Sequence, residues 1–324
     1  MLGSTLAILG VLIAIFLAFA IKDVLIAKKK GTHYNVRNCL VAYGMFVPAV
    51  VLAFLFVLLP IIYSLGYAFT DFYLLKPNNI SFNALENFKQ IAESIRAKGD
   101  MYHAIKNTAI FVVGVVPLQI GMALGLSLLV NRKKAGVGMF KICYFAPVVI
   151  SLTITSYLWL QILSPSEHGL LNSLLQLFNQ EPRDYLREPN TAMLWIVLLS
   201  AWQGCGYQML IFLSGLTNIR KELYEAASLD GANVWKQFLH ITCPGLRSTF
   251  LFVVITVFVG ACRVMIQPML MTGYQEHTVT LSYYMYVQGY SYRWVGYSSA
   301  VALLMTIVIG SITLLQRRLL REKD

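Results

Sequence analysis

Seven apolar runs alternate with polar segments along the chain, at residues 5–21, 40–68, 104–130, 138–163, 191–216, 250–271 and 296–315. Each is close to the roughly 20 residues an α-helix needs to cross a hydrocarbon core of about 30 Å. The pattern predicts an all-α polytopic membrane protein. Pro48 and Pro60 interrupt the second run, which a membrane helix tolerates when neighbouring groups satisfy the freed carbonyls.

The polar segments differ in charge, and the difference predicts orientation. Lys28 to Lys30, Arg132 with Lys133 and Lys134, Arg220 with Lys221, Lys236 and Arg247, and Arg317, Arg318, Arg321 and Lys323 fall in four alternate segments. The positive-inside rule puts all four in the cytoplasm, with the N-terminus outside and the C-terminus inside. The segments at 70–103, 164–190 and 276–294 are then exterior. The second of them is mainly acidic, with Glu167, Glu181, Asp184 and Glu188, and the third is rich in tyrosine. A cleaved signal peptide needs a basic start, which Met1 to Ser4 lack, so the first run is expected to be a retained span.

Composition agrees with a membrane protein. Of 324 residues, 57% are hydrophobic and 13% charged, too few polar residues to cover a soluble surface. The net charge of +11 comes without a nucleic-acid-reading element, so no nucleic-acid partner is expected. Cys39, Cys143, Cys205, Cys243 and Cys262 are scattered without a C-x-x-C pair, and no metal site is expected.

One polar stretch stands apart. In Glu225-Ala226-Ala227-Ser228-Leu229-Asp230-Gly231-Ala232, Asn218 is expected to cap a helix from about 219 to 229, with Gly231 stopping it in the left-handed conformation. A second helix over about 233–242 is expected to end before Pro244. The product is a cytoplasmic helical elbow. It is either a solvated connector or a docking surface, in which Leu223 and Ala227 admit a partner closely and Glu225 and Asp230 set its angle.

The run Glu-Ala-Ala-x-x-Asp-Gly-Ala followed by Phe238, Ile241 and Pro244 resembles the coupling loop of permease subunits of ATP-binding-cassette importers. Pro60 to Ser64, Phe69-Thr70-Asp71, Leu85 to Phe88, Lys106-Asn107-Thr108, Pro147 to Ser151, Gly169 to Asn172 and Gly296 to Ala300 extend the likeness in order. All resemble the maltose-type carbohydrate permeases. The resemblance covers about residue 40 to the C-terminus. It implies a six-helix permease core at 40–324 with its coupling loop at 217–247, preceded at 1–39 by an extra transmembrane helix and a basic linker. It also implies a second homologous permease subunit, two cytoplasmic ATPase subunits that bind ATP and Mg, an extracytoplasmic solute-binding protein and surrounding lipid. No cofactor is expected in this chain, which has no G-x-x-x-x-G-K-[ST] phosphate loop. Three positions depart from the family pattern: Arg220 for proline, Cys243 for leucine and Ala84 for glycine.

Substrate contacts are expected around the fifth and sixth runs. Arginine at a helix centre costs about 2.5–3.5 kcal/mol on insertion scales, so Arg263 should face a cavity, a partner or carbonyls. The resemblance puts glutamine where Arg263 stands and an acidic residue where Ile266 stands, which points to an anionic ligand such as a uronate-containing oligosaccharide. Equally open is a bond from Arg263 to backbone or to the partner subunit. Gln203, Tyr207, Gln208 and Gln267 are further path candidates, with interhelical hydrogen bonding as the plainer role for each. Trp159, Trp195 and Trp202 suit packing better than sugar stacking. A secondary transporter, or a permease for another polar solute such as a sugar phosphate, is the alternative function. Catalysis is not expected, because His103, His168, His240 and His277 have no nucleophile or metal partner at suggestive spacing.

Overall fold

The structure, a computed structural model, describes Lys22 and residues 36–131, 136–166 and 169–320. The expected first span at 5–21 lies outside the described residues. The chain divides into two units at residue 67.

The first unit contains α1 (Val36–Ala53), a π-helical turn (Phe54–Leu58) and α2 (Leu59–Tyr67). Residues 44–67 form one continuous apolar helix long enough to cross a membrane. The helix continues through Pro48 and Pro60, as a membrane helix was expected to tolerate. The π-turn ends two residues before Pro60, and a wider turn makes room for a proline ring that would otherwise meet the carbonyl one turn back.

The second unit begins with a short segment ending in α3 (Glu86–Arg96), followed by α4 (Asp100–Val130). Next come α5 (Val137–Val149), α6 (Leu152–Ile162), the short α7 (Leu170–Leu177) and the long α8 (Ala192–Thr217). Beyond it lie α9 (Lys221–Leu229), α10 (Val234–Gln237), α11 (Arg247–Cys262), α12 (Ile266–Met271), α13 (Leu281–Tyr286) and α14 (Val295–Leu320).

The central pair is α4 and α8, which pack through fully buried Phe111, Ile196, Leu199 and Phe212. Small residues set how closely helices meet, as in membrane interfaces generally. A Cβ on Gly114 would lie 3.2 Å from Val197, and one on Gly206 would strike the backbone carbonyl of Tyr144 on α5. Gly206 is thus the point where α5 and α8 touch backbone to backbone.

Two of the seven expected spans are not single helices. Among the described residues, four helices are long and apolar enough to cross a membrane, or six if each bent pair counts as one span. The fourth expected span breaks between α5 and α6 with a 100° bend, where Ile150 takes an extended conformation just after Pro147. The sixth is α11, which continues the helix of 234–245 through a 68° bend and stops at Cys262. Its expected last turns belong to α12, which starts anew at Ile266. Apolarity is the same on both sides of each break, so periodicity could not mark it.

Candidate functional site

Both breaks open onto one cleft of about 560 Å³ between α4, α8 and α11. A broken helix exposes backbone polar groups, and inside a membrane protein each must find a partner. At the first break, Gln203 on α8 donates through Nε2 to the Ile150 carbonyl at 3.2 Å. At the second, Thr280 donates to the Val264 carbonyl at 2.6 Å and Ser282 to the Cys262 carbonyl at 3.4 Å. Neighbouring elements supply every one of these caps.

Arg263 follows the last helical residue of α11 rather than sitting mid-helix, which corrects the expectation from the uninterrupted apolar run. Its backbone N–H bonds the Gly260 carbonyl at 3.1 Å. The guanidinium is exposed in the cleft and has no hydrogen bond or ion pair among the described residues. Hydroxyls already cap the nearby carbonyls, so its five donors are available to something in the cleft. The helix C-terminus also favours a cation there.

Gln203, Gln208 and Gln267 line the same cleft. All three also bond other helices: Gln203 as above, Gln267 to the Ser200 hydroxyl at 3.3 Å, and Gln208 as acceptor from Gln119 at 3.0 Å. Each amide retains atoms for a second partner. Tyr207 is half exposed and is not part of this lining. The three tryptophans pack together instead, with Trp159 ring centroids 6.4 Å from Trp195 and 6.1 Å from Trp202.

Sequence reading missed Gln119, a buried amide on α4 that lines the cleft. The amide lies where a Cβ on Gly204 would stand, so the glycine lets Gln119 rest against α8. The available signal was a lone amide inside an apolar run, which is costly unless paired.

The elbow is built differently. Asn218 does not cap it but closes α8, while Arg220 in extended conformation precedes α9. Gly231 has a φ of +76°, and the Ala232 N–H reaches back to the Ala227 carbonyl at 2.8 Å. This is the glycine-closed helix end expected from the sequence. The second helix starts after Asn233, whose side chain accepts from the Lys236 N–H at 2.9 Å. It does not end before Pro244. A π-turn over Phe238–Thr242 again precedes the proline by two residues, and the helix runs on to Gly245. Tyr224 bonds Thr242 at 2.9 Å and Gln237 bonds Ser228 at 2.9 Å, tying the two arms together. No residue of α9 is buried. Glu225, Ala226 and Asp230 are exposed and Ala227 is partly covered, while Leu229 at 90% and Trp235 at 72% exposure leave apolar surface open. Glu225 and Asp230 have no ion pair among the described residues.

The described residues thus combine a cleft walled by broken helices with an unburied elbow whose arms are hydrogen-bonded to each other. Comparison with known proteins identifies the class. The chain belongs to the family described as "Binding-protein-dependent transport system inner membrane component", whose model matches residues 120–323. The arabinooligosaccharides transport system permease protein AraP of Bacillus subtilis (strain 168) is 31% identical over 300 residues, covering 90% of this chain and 93% of that one. The lactose transport system permease protein LacF of Rhizobium radiobacter is 30% identical over 288 residues, covering 85% and 92%. In fold, the chain is similar to a solved structure of a bacterial ABC transporter involved in the import of the acidic polysaccharide alginate. The TM-score is 0.77 at 21% identity, covering 89% of this chain and 97% of that one. The protein is therefore a multi-pass inner-membrane permease subunit of an ABC transporter, and ATP hydrolysis belongs to its partner subunits.

Proposed function

We propose that this chain forms half of the translocation path of a carbohydrate importer, with a second homologous permease subunit supplying the other half. The carbohydrate permeases among its relatives support the substrate class. The chain then divides into an extra N-terminal span and linker at 1–39 and a permease core at 40–324, with its N-terminus outside and its C-terminus in the cytoplasm. An extracytoplasmic solute-binding protein delivers the sugar. Two ATPase subunits bind ATP and Mg, and one of them grips Glu225, Ala226, Ala227, Asp230 and Gly231. Its closure moves the elbow as a rigid body and rocks the attached spans. The elbow must carry a real free-energy difference between states, because a ligand shifts an equilibrium only by its differential affinity.

In this reading the cleft is the substrate path and Arg263 selects an anionic group, as on a uronate-containing oligosaccharide. The observation that carries it is a cleft-lining guanidinium with no hydrogen bond or ion pair among the described residues, while Thr280 and Ser282 already cap the carbonyls of Val264 and Cys262. Gln119, Gln203, Gln208 and Gln267 then offer amides to sugar hydroxyls.

The test is uptake by the reconstituted complex of a neutral trisaccharide, a uronate trisaccharide and a sugar phosphate, with Arg263→Gln alongside. A charge-assisted hydrogen bond contributes about 1.5–3 kcal/mol, so uptake of the preferred anion should fall about 10- to 100-fold. Neutral uptake should fall less. Equal loss for all three sinks the charge selection, and preference for the sugar phosphate over the uronate moves the substrate to that class.

A further inference from the structure

A second cleft, of about 390 Å³, lies away from Arg263 on the side predicted to be exterior. Its volume is within the range of about 300–1,000 Å³ typical of small-molecule sites. Segments distant in sequence meet there: the stretch after residue 68, α3, α13 with the π-turn of Val287–Ser291, and the start of α14.

The walls are locked before any ligand arrives. Asp71 accepts from the Ser81 N–H at 2.6 Å and the Ser81 hydroxyl at 2.7 Å. Asn87 donates to the carbonyls of Ala68 and Thr70, each at 2.9 Å. The Gly296 N–H bonds the Phe72 carbonyl at 2.9 Å and the Leu74 N–H bonds the Arg293 carbonyl at 3.0 Å. A Cβ on Gly296 would collide with the Thr70 carbonyl, so the close approach requires glycine.

Against this frame, Gln90 and Gln288 have no side-chain hydrogen bond among the described residues, and both line the cleft. Trp294 packs against Tyr73 in a tilted pair with centroids 4.7 Å apart and remains half exposed. Tyr284 and Tyr297 pair their hydroxyls at 3.0 Å, which leaves acceptor capacity on both. Among the described residues, no lysine or arginine lines the cleft and its one charged group is Asp71. The Ser81 hydroxyl, and then the Ser81 N–H, hold the Asp71 carboxyl below the usual carboxylate range. An anion is therefore disfavoured.

Free amides suit vicinal hydroxyls, which donate and accept alike, and aromatic faces suit the C–H face of a sugar ring. We infer that this cleft is a binding site for a neutral, hydroxyl-rich sugar ring, distinct from the central path and complementary to it in charge. The inference rests on the carbohydrate reading for its place in transport.

The experiment measures equilibrium binding of neutral arabinotriose and maltotriose to the detergent-purified complex without solute-binding protein, by ligand-observed NMR. Uptake is measured in parallel. Saturable binding that weakens about tenfold or more in Gln90→Ala/Gln288→Ala and in Trp294→Ala, and returns in Trp294→Phe, supports the site. The double variant keeps every clasp bond, so a folded, ATPase-associated complex is expected. Absence of saturable binding, or binding unchanged in both variants, overturns the inference. A complex that binds these sugars through Gln90 and Gln288 yet imports no carbohydrate overturns the transport reading and upholds the site.

Discussion

The cleft and the elbow are both made by interrupting helices, and they differ in where the freed polar groups find partners. At the cleft the caps come from far along the chain: Gln203 serves Ile150, while Thr280 and Ser282 serve the end of α11. At the elbow they come from within a few residues, through Gly231 with Ala232 and through Asn233. A locally capped element keeps its shape without burial, and α9 has no buried residue. The cleft has its shape only because α4, α5, α8, α11 and the segment before α13 come together.

The contrast predicts which substitutions propagate. Gly206→Leu puts a side chain where α5 and α8 meet at the Tyr144 carbonyl. Overpacking of this kind costs about 1–3 kcal/mol, and a lowered thermal midpoint of the purified complex together with lost uptake is the expected result. An unchanged midpoint would show that the crossing is looser than described. Thr280→Val leaves the Val264 carbonyl unsatisfied, at a cost of about 1–3 kcal/mol for a buried group. Arg263 would then be drawn to that carbonyl, so selectivity between anionic and neutral sugars should narrow while ATPase subunits still co-purify. Retained selectivity would mean that another group can replace the hydroxyl.

Gly231→Ala is the smallest of the three. A left-handed conformation costs a non-glycine residue about 1–2 kcal/mol, and the loss is local. Hydrogen exchange should speed up in α9 alone, and ATPase co-purification should weaken while the thermal midpoint of the membrane part holds. A drop in that midpoint would tie the elbow to the core and erase the contrast.

How much could be read in advance follows the same division. Gly231 closing a helix, Asn233 opening the next arm and the positions of four long helices all depend on neighbouring residues and apolar length. The errors arose where a local rule met a device outside it. Pro244 predicts a helix end, but a π-turn ends two residues before it and the helix runs on to Gly245, as it does past Pro60. Asn218 is a good capping residue but was needed to end α8. Ala84, where the resemblance puts glycine, has a φ of +52°, so the turn has a glycine-like geometry despite its side chain.

The sequence by itself determined an all-helical membrane protein, the family to which it belongs and an elbow closed by Gly231. Length, apolarity and short-range capping express these, and each is a property of contiguous residues. Only the tertiary structure decided that the fourth and sixth spans are broken, that Gln119 sits against Gly204, and that Arg263 lines the cleft with no side-chain partner among the described residues. Those outcomes depend on partners far apart in sequence, because an unsatisfied backbone group inside a membrane is tolerated only where another element arrives to bond it.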